Sequence, residues 1–530
     1  MKSIWLAALL TPLAAQISIL DLVDSPAERR AFIEIYEERD ALRKRSQAGQ
    51  YLRDFPRSFL TPQVLEAAAK AAAEMGDGAS ALAYGRQSLR LYPENPGLLI
   101  PMAVWQRKRG DLSGARASAS EGLRFLELFT APSGMVRNAL RETALAVGGV
   151  PEPVRATVGG SFAGSQKCQN CHRPVHDAWS QTGMANMLRP IASAKVIGDF
   201  AGAKYEGFRT GRDGRPFIEL QRRNGEWDRY SIDFTIGSKW QQAYATRAPS
   251  GIVHVLPVQY NTLTKQWLNY WLSIDPPGSE RAETGDFHRL RRVTAYQENC
   301  AQCHTSQVRE NGYAEAGVNC EMCHGPSAAH AKGGPSRFRF STAAKEQSVA
   351  VCAQCHAQSA QRGSSKSFPP SFQRKPYVEF APRAFYRDGR FRETTFIVEA
   401  FERSACYRKG GATCVSCHDP HPSDASTNLK SLKFGGGDRM CTQCHQGLNT
   451  VSHTRHAATS EGARCTSCHM PKIMGALLFQ AGSHQIDERP SAEFTARFGQ
   501  AESPNACLLC HKDKDNTWLQ EQLRSWRSAR

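Results

Sequence analysis

Residues 17–150 contain neither cysteine nor histidine, which excludes metal ligation or covalent cofactor attachment through those side chains over the whole stretch. After the N-terminal segment no run approaches the ~20 apolar residues that a membrane-spanning helix needs. No cysteine follows the N-terminal apolar run closely enough to serve as a lipid-attachment site. Of the 17 cysteines only Cys406 lies outside a repeated pattern, and it reads as a small buried residue. No recognisable set of acid, base and nucleophile stands out.

What is present is one pattern, repeated. The remaining cysteines form eight copies of Cys-x-x-Cys-His. The cysteines are Cys168 and Cys171, Cys300 and Cys303, Cys320 and Cys323, Cys352 and Cys355, Cys414 and Cys417, Cys441 and Cys444, Cys465 and Cys468, and Cys507 and Cys510. The histidines that follow them are His172, His304, His324, His356, His418, His445, His469 and His511. This is the attachment signature of a c-type haem. Two thiols three positions apart can form thioethers to the two vinyl groups of one porphyrin, and the adjacent imidazole then reaches the iron. Paired cysteines also bind zinc, but zinc knuckles do not need a histidine after every second cysteine, and disulfides need none. Eight covalent haems c are expected, with these histidines as proximal iron ligands.

The formal net charge of +17 would ordinarily suggest a nucleic-acid or membrane-surface partner. Propionates change that sum: with iron and ring, each haem adds roughly −1 when oxidised and −2 when reduced, so eight bring the total to between about +9 and about +1. The excess Lys and Arg reads as propionate partners, with no nucleic acid implied.

The N-terminus has a short basic start, Met1-Lys2-Ser3, an apolar run from Ile4 to Leu13, and small residues at Ala14-Ala15. Residues 1–15 read as a signal peptide, so export is expected, to the periplasm or on to an extracellular or outer-membrane-associated position. Residues 17–150 show helical periodicity and one internal repeat: Gly76-Asp77, Ala81 and Leu89 recur as Gly110-Asp111, Ala115 and Leu123, an offset of 34. That is the tetratricopeptide period, and 27–56 looks like a degenerate third copy. Such repeats either dock redox partner proteins or cap the rest of the chain. Residues 151–160, with Pro151, Pro153 and Gly159-Gly160, read as a linker. A haem domain is expected over 161–515. Within it, Asp213-Gly214 and Asn224-Gly225 between alternating runs predict a small antiparallel β insertion at about 203–273, either structural or covering the first haem and limiting access to it. Seven motifs then crowd 300–511, so short helices and long loops are expected, with porphyrins supplying much of the core. Trp518, Leu519, Leu523 and Trp526 predict a capping helix over 516–530. The fold expected is mainly α with much irregular structure: a helical-hairpin repeat domain followed by a multihaem domain with a β insertion.

Half of the 16 histidines remain after the motifs are counted. His421 and His330 lie so soon after His418 and His324 that neither reaches the opposite face of its own haem, so each is expected to ligate a neighbour's iron. His453 and His456 supply at least one further ligand. The first haem has two candidate axial ligands, His176 and Met184, and a methionine would raise its potential. His254, inside the strand-like Ile252-Val-His-Val-Leu256, is structural or a ligand.

The phrases Glu321-Met-Cys-His-Gly-Pro326, Cys417-His-Asp-Pro-His421, His453-Thr-Arg-His456 and Cys468-His-Met-Pro471 resemble multihaem c-type cytochromes of the cytochrome c-552/4 group, in forms fused to tetratricopeptide repeats. The resemblance runs from about 161 to 518. It implies His288 and His484 as further distal ligands, and a wider kinship with octahaem hydroxylamine oxidoreductases and nitrite or tetrathionate reductases. It leaves two functions. One is an electron relay between exported redox partners, for which axial ligands and proximity suffice. The alternative is a haem-dependent oxidoreductase acting on nitrite, hydroxylamine or tetrathionate at one five-coordinate haem. The ammonifying nitrite reductases carry lysine in place of one proximal histidine, and that substitution is absent.

Overall fold

A computed structural model describes residues 20, 23, 25–129, 132, 134–151, 160–275, 278–309, 312–336, 338–362, 368–369, 371–374, 384–425, 427–475, 481–486 and 491–528. The expected signal peptide and most of the expected linker lie outside them. The chain divides into two compact units: Met1–Val154 with Gln373–Arg392 and Pro490–Arg530, and Arg155–Phe372 with Glu393–Arg489. No helix among the described residues is long and apolar enough to cross a membrane.

The first unit opens with seven helices: α1 Pro26–Glu37, α2 Ala41–Asp54, α3 Thr61–Glu74, α4 Gly78–Leu91, α5 Pro96–Lys108, α6 Leu112–Leu128 and α7 Gly134–Ala146. The repeat has a local cause. Gly76 and Gly110 end α3 and α5 at φ 79° and 83°, a left-handed conformation that glycine adopts without penalty. Asp77 and Asp111 then cap α4 and α6, accepting from Ser80 N at 3.0 Å and Gly114 N at 2.8 Å. The helices close tightly: a Cβ on Gly122 would lie 2.5 Å from Ile100 Cγ1. Ile100, Ala103, Ala119, Leu123 and Leu126 form a buried apolar cluster at that contact. Residues 27–56 fold as the hairpin α1–α2.

The C-terminal motif belongs to this unit and not with the other seven, although 161–515 was the span expected for one haem domain. The reason is polar. Asp388, buried, accepts from Ser503 Oγ at 2.7 Å and Arg390 Nη2 at 2.7 Å, while Arg390 also donates to Pro504 O. Arg392 pairs with Glu502 at 2.6 Å, Arg90 with Glu493 at 2.8 Å, and Arg497 Nε donates to Pro56 O at 2.7 Å. The last helix, Asn516–Ser528, buries Leu519 and Leu523 against Leu508 of the motif, the capping arrangement its spacing predicts.

The second unit starts with α8, Ser165–Ser180, whose regular geometry breaks at His172 (φ −116°, ψ 38°). Nine strands follow: β1 Leu188–Pro190, β2 Lys204–Tyr205, β3 Phe208–Asp213, β4 Arg215–Gln221, β5 Trp227–Ser231, β6 Phe234–Ile236, β7 Gln241–Arg247, β8 Val253–Asn261 and β9 Gln266–Leu268. They make a four-stranded sheet in the order β2-β3-β4-β5 and a five-stranded sheet in the order β1-β6-β7-β8-β9. Both predicted turns are present: Asp213 pairs with Arg215 across Gly214, and Gln221 with Trp227 across the turn that holds Gly225. The β region reaches back further than the expected 203, because β1 pairs with β6 (Leu188↔Ile236); a three-residue strand ending in proline carries no alternation signal. Leu188, Phe234, Ile236, Ala245 and Val255 of the five-stranded sheet pack on Tyr296, Ala301 and Cys300, so it lies against motif 300–304.

From residue 300 on, helices shrink to the motifs themselves: Ala301–His304, Glu321–His324, Cys414–Cys417, Arg439–Thr442 and Cys465–His469. Lys345–His356, at 12 residues, is the long one.

Candidate haem-binding sites

Each motif is built as one helical turn. The motif histidine donates its backbone N–H to the first cysteine's carbonyl, at 3.1 Å for His304 to Cys300 and 2.9 Å for His324 to Cys320, His418 to Cys414, His445 to Cys441 and His511 to Cys507. A turn closed this way sets the two sulfurs and the imidazole on adjoining positions of one short surface. The described cysteines are all free thiols, and no three Cys, His, Asp or Glu side chains among the described residues converge as a zinc knuckle would require. The imidazoles suit iron instead. Burial pushes His304 and His484 down to about 4, so both are neutral donors at ordinary pH, as iron ligation requires. The Nδ1 of His304 is buried without a hydrogen-bond partner.

Four motif histidines face a histidine from outside the motifs. The ring centroids of His172 and His330 are 6.2 Å apart, His324 and His421 5.9 Å, His418 and His484 6.3 Å, and His469 and His453 6.3 Å. Rings so far apart do not touch face to face. Two metal–nitrogen bonds of about 2 Å plus two ring radii of about 1 Å sum to roughly 6 Å, so one iron fits between each pair. Backbone carbonyls set the ring orientation: His418 Nδ1 lies 3.0 Å from Lys430 O, His484 Nδ1 3.0 Å from Gly482 O, and His330 Nδ1 2.8 Å from Gly334 O. An Nδ1–H donated in this way leaves the Nε2 lone pair for a metal.

The ring that faces the first motif's histidine is that of His330. His176 rests its ring on Trp179 at 5.3 Å with Nδ1 3.6 Å from Asp177, and Met184 lies in the turn where its carbonyl accepts from Val318 N at 3.0 Å. His288 is exposed, and no motif histidine ring faces it among the described residues. His254 is a structural residue of β8, buried with Nδ1 2.9 Å from Thr294 Oγ1. His456 has its Nδ1 2.6 Å from Thr454 O. His304 has Tyr296 as its ring neighbour, at 6.3 Å, and His511 has Trp518 at 4.9 Å. His356 and His445 show no paired imidazole ring among the described residues. Cys406 stands beside the sulfurs of motifs 414–418 and 441–445, and burial raises its thiol pKa.

The residues between the cysteines, which the motif pattern leaves unspecified, join the motifs to one another. Glu321, buried within Cys320-Glu-Met-Cys323, accepts from Ala163 N at 2.9 Å, Gly164 N at 2.8 Å and Ser327 N at 2.8 Å, and so ties the start of α8 to the third motif. Trp179 Nε1 donates to Val318 O at 3.0 Å. Gln354 Nε2 donates to Met322 O at 2.8 Å, and Gln443 Nε2 to Ser416 O at 3.2 Å. A glutamine in Cys-x-Gln-Cys was the available signal, but nothing local says which neighbour it reaches.

Two stretches match family models. Residues 407–450 match one described as doubled CXXCH motif, and residues 265–325 match one described as cytochrome c554 and c-prime. No curated protein matches the chain. Among solved structures, the outer cell wall cytochrome OcwA is similar at 18% sequence identity over 69% of this chain and 87% of that chain, with a TM-score of 0.46. Over the two matched stretches, which hold four of the eight Cys-x-x-Cys-His motifs, the chain is similar to c-type cytochromes.

Proposed function

We propose that this chain is an exported multihaem c-type cytochrome that holds eight haems c and relays electrons between redox partner proteins. One observation carries the reading: four motif histidines each face a second histidine across 5.9–6.3 Å. Iron held in this way supplies one-electron chemistry between its ferric and ferrous states. The chain's residues bind and orient it. The cysteine pairs would anchor each porphyrin covalently, and the paired imidazoles would hold the iron from both sides and keep substrate from it. Carbonyls of Lys430, Gly482 and Gly334 hold the rings against rotation. His330 and His421 serve irons anchored by other motifs, so each such pair also stitches two stretches of chain together. The helical repeats offer a docking surface for a partner.

A pyridine haemochrome assay should return about eight haems per chain, one for each motif. Two or fewer would overturn the reading.

A second reading rests on His304. It is buried beneath the five-stranded sheet and its ring neighbour is a tyrosine, an arrangement that would leave the iron there open to nitrite, hydroxylamine or tetrathionate. A high-spin ferric signal that shifts on adding nitrite or hydroxylamine favours this oxidoreductase; only low-spin signals remove it.

A further inference from the structure

The helix Lys345–His356 sits at the meeting point of three other motifs. On one side Val349 and Ala353 pack with Val398, Phe401, Tyr407 and the partly buried Cys414 of motif 414–418. On another, Val351 packs with Phe338, Phe368 and the partly buried Cys323 of motif 320–324. The Gln354 side chain reaches Met322 O of that same motif, while the Gln354 carbonyl lies 3.9 Å from Cys303 Sγ of motif 300–304. Other contacts in this unit link neighbouring motifs: 168–172 meets 320–324 through Glu321 and Trp179, 320–324 faces His421 through His324, and 441–445 meets 414–418 through Gln443 and 465–469 through Asp438, which accepts from Cys465 N at 2.8 Å.

Porphyrins held at motifs whose cysteines and backbones pack this closely would lie near one another, as electron transfer between them requires. Resting on the multihaem reading, we propose that the haem anchored by Cys352, Cys355 and His356 is the branch point of the relay. The line runs through motifs 168–172, 320–324, 352–356, 414–418, 441–445 and 465–469, and motif 300–304 is a spur that joins it through the contact of Cys303 with the Gln354 carbonyl. Electrons bound for the spur pass the haem of motif 352–356.

The test uses the full-length holoprotein and H356M, which keeps both thioethers but raises the potential of that one haem. The haem count comes first. About eight in both proteins supports the multihaem reading independently of the branch, and two or fewer in the wild type overturns that reading. A reductive titration followed by electron paramagnetic resonance then reads the branch. In H356M the first electron enters the altered haem, and as that centre becomes diamagnetic the ferric signals of three neighbours should sharpen together. The same change at 465–469, H469M, should sharpen one. Three against one supports the branch; one or none in H356M contradicts it. If H356M fails to accumulate, C352A/C355A provides the same comparison, with one haem lost and three neighbouring ferric signals sharpened in the fully oxidised state.

Discussion

The helical repeats and the motif-rich stretch after residue 300 are built on opposite principles. In the repeats, helices of 12–17 residues bury their own apolar faces, and glycine and aspartate at each junction satisfy the helix ends. In the motif-rich stretch most helices are four or five residues long, too short to persist alone, and what they gather is sulfur and imidazole. The first region carries its core in its sequence. The second is a set of brackets around groups that must be covalently added, so cofactor attachment and folding are one process there. The longest motif helix of that stretch, Lys345–His356, is the exception, and it lies against three other motifs.

The largest expected effect breaks this contrast outright. Expressed without haem attachment, the chain should keep the repeats folded and lose the motif-rich stretch, so limited proteolysis should leave a protected fragment spanning α1–α7 and degrade 300–489. Protection of both regions in the haem-free chain would show that the brackets stand alone. Next, Glu321→Ala removes a buried carboxylate that accepts three backbone N–H groups, and should cost about 3 kcal/mol in denaturant unfolding while perturbing the spectrum of the first haem. A change under about 0.5 kcal/mol would mean that this clamp does not hold α8 to the third motif. Smaller still, Gly122→Ala should destabilise the repeats by about 1 kcal/mol, because the clash with Ile100 outweighs the gain in helix propensity. It should leave every haem signal unchanged. His176→Ala should leave the haem spectra as they are, whereas His330→Met should raise the potential of the haem at Cys168 and Cys171.

The repeats were legible because their causes are local: a glycine that ends one helix and an aspartate that caps the next recur at a fixed offset, and both hairpin turns of the β region announce themselves through glycine. The motifs were legible because haem attachment is written within five residues. Distal ligands were half legible. Position alone shows that His330 and His421 cannot cross their own porphyrins, but which iron each serves is a matter of chain return. Nothing near His172 announces a partner at residue 330. Met184 and His176 are nearer in sequence, and His176 rests its ring against Trp179. What the β region packs on was equally non-local: its apolar face meets Tyr296 and Ala301, which come after it in sequence.

The central claim is that paired histidines fill both axial positions of at least four irons, with their ring planes within 30° of parallel. Near-infrared magnetic circular dichroism of the oxidised protein, quantified against the haem count, tests it most directly. The account predicts bis-histidine low-spin intensity equivalent to at least four haems per chain, with the rhombic paramagnetic resonance signals that near-parallel imidazoles produce. Intensity for fewer than four, or a histidine–methionine band accounting for the haem at Cys168, would contradict it.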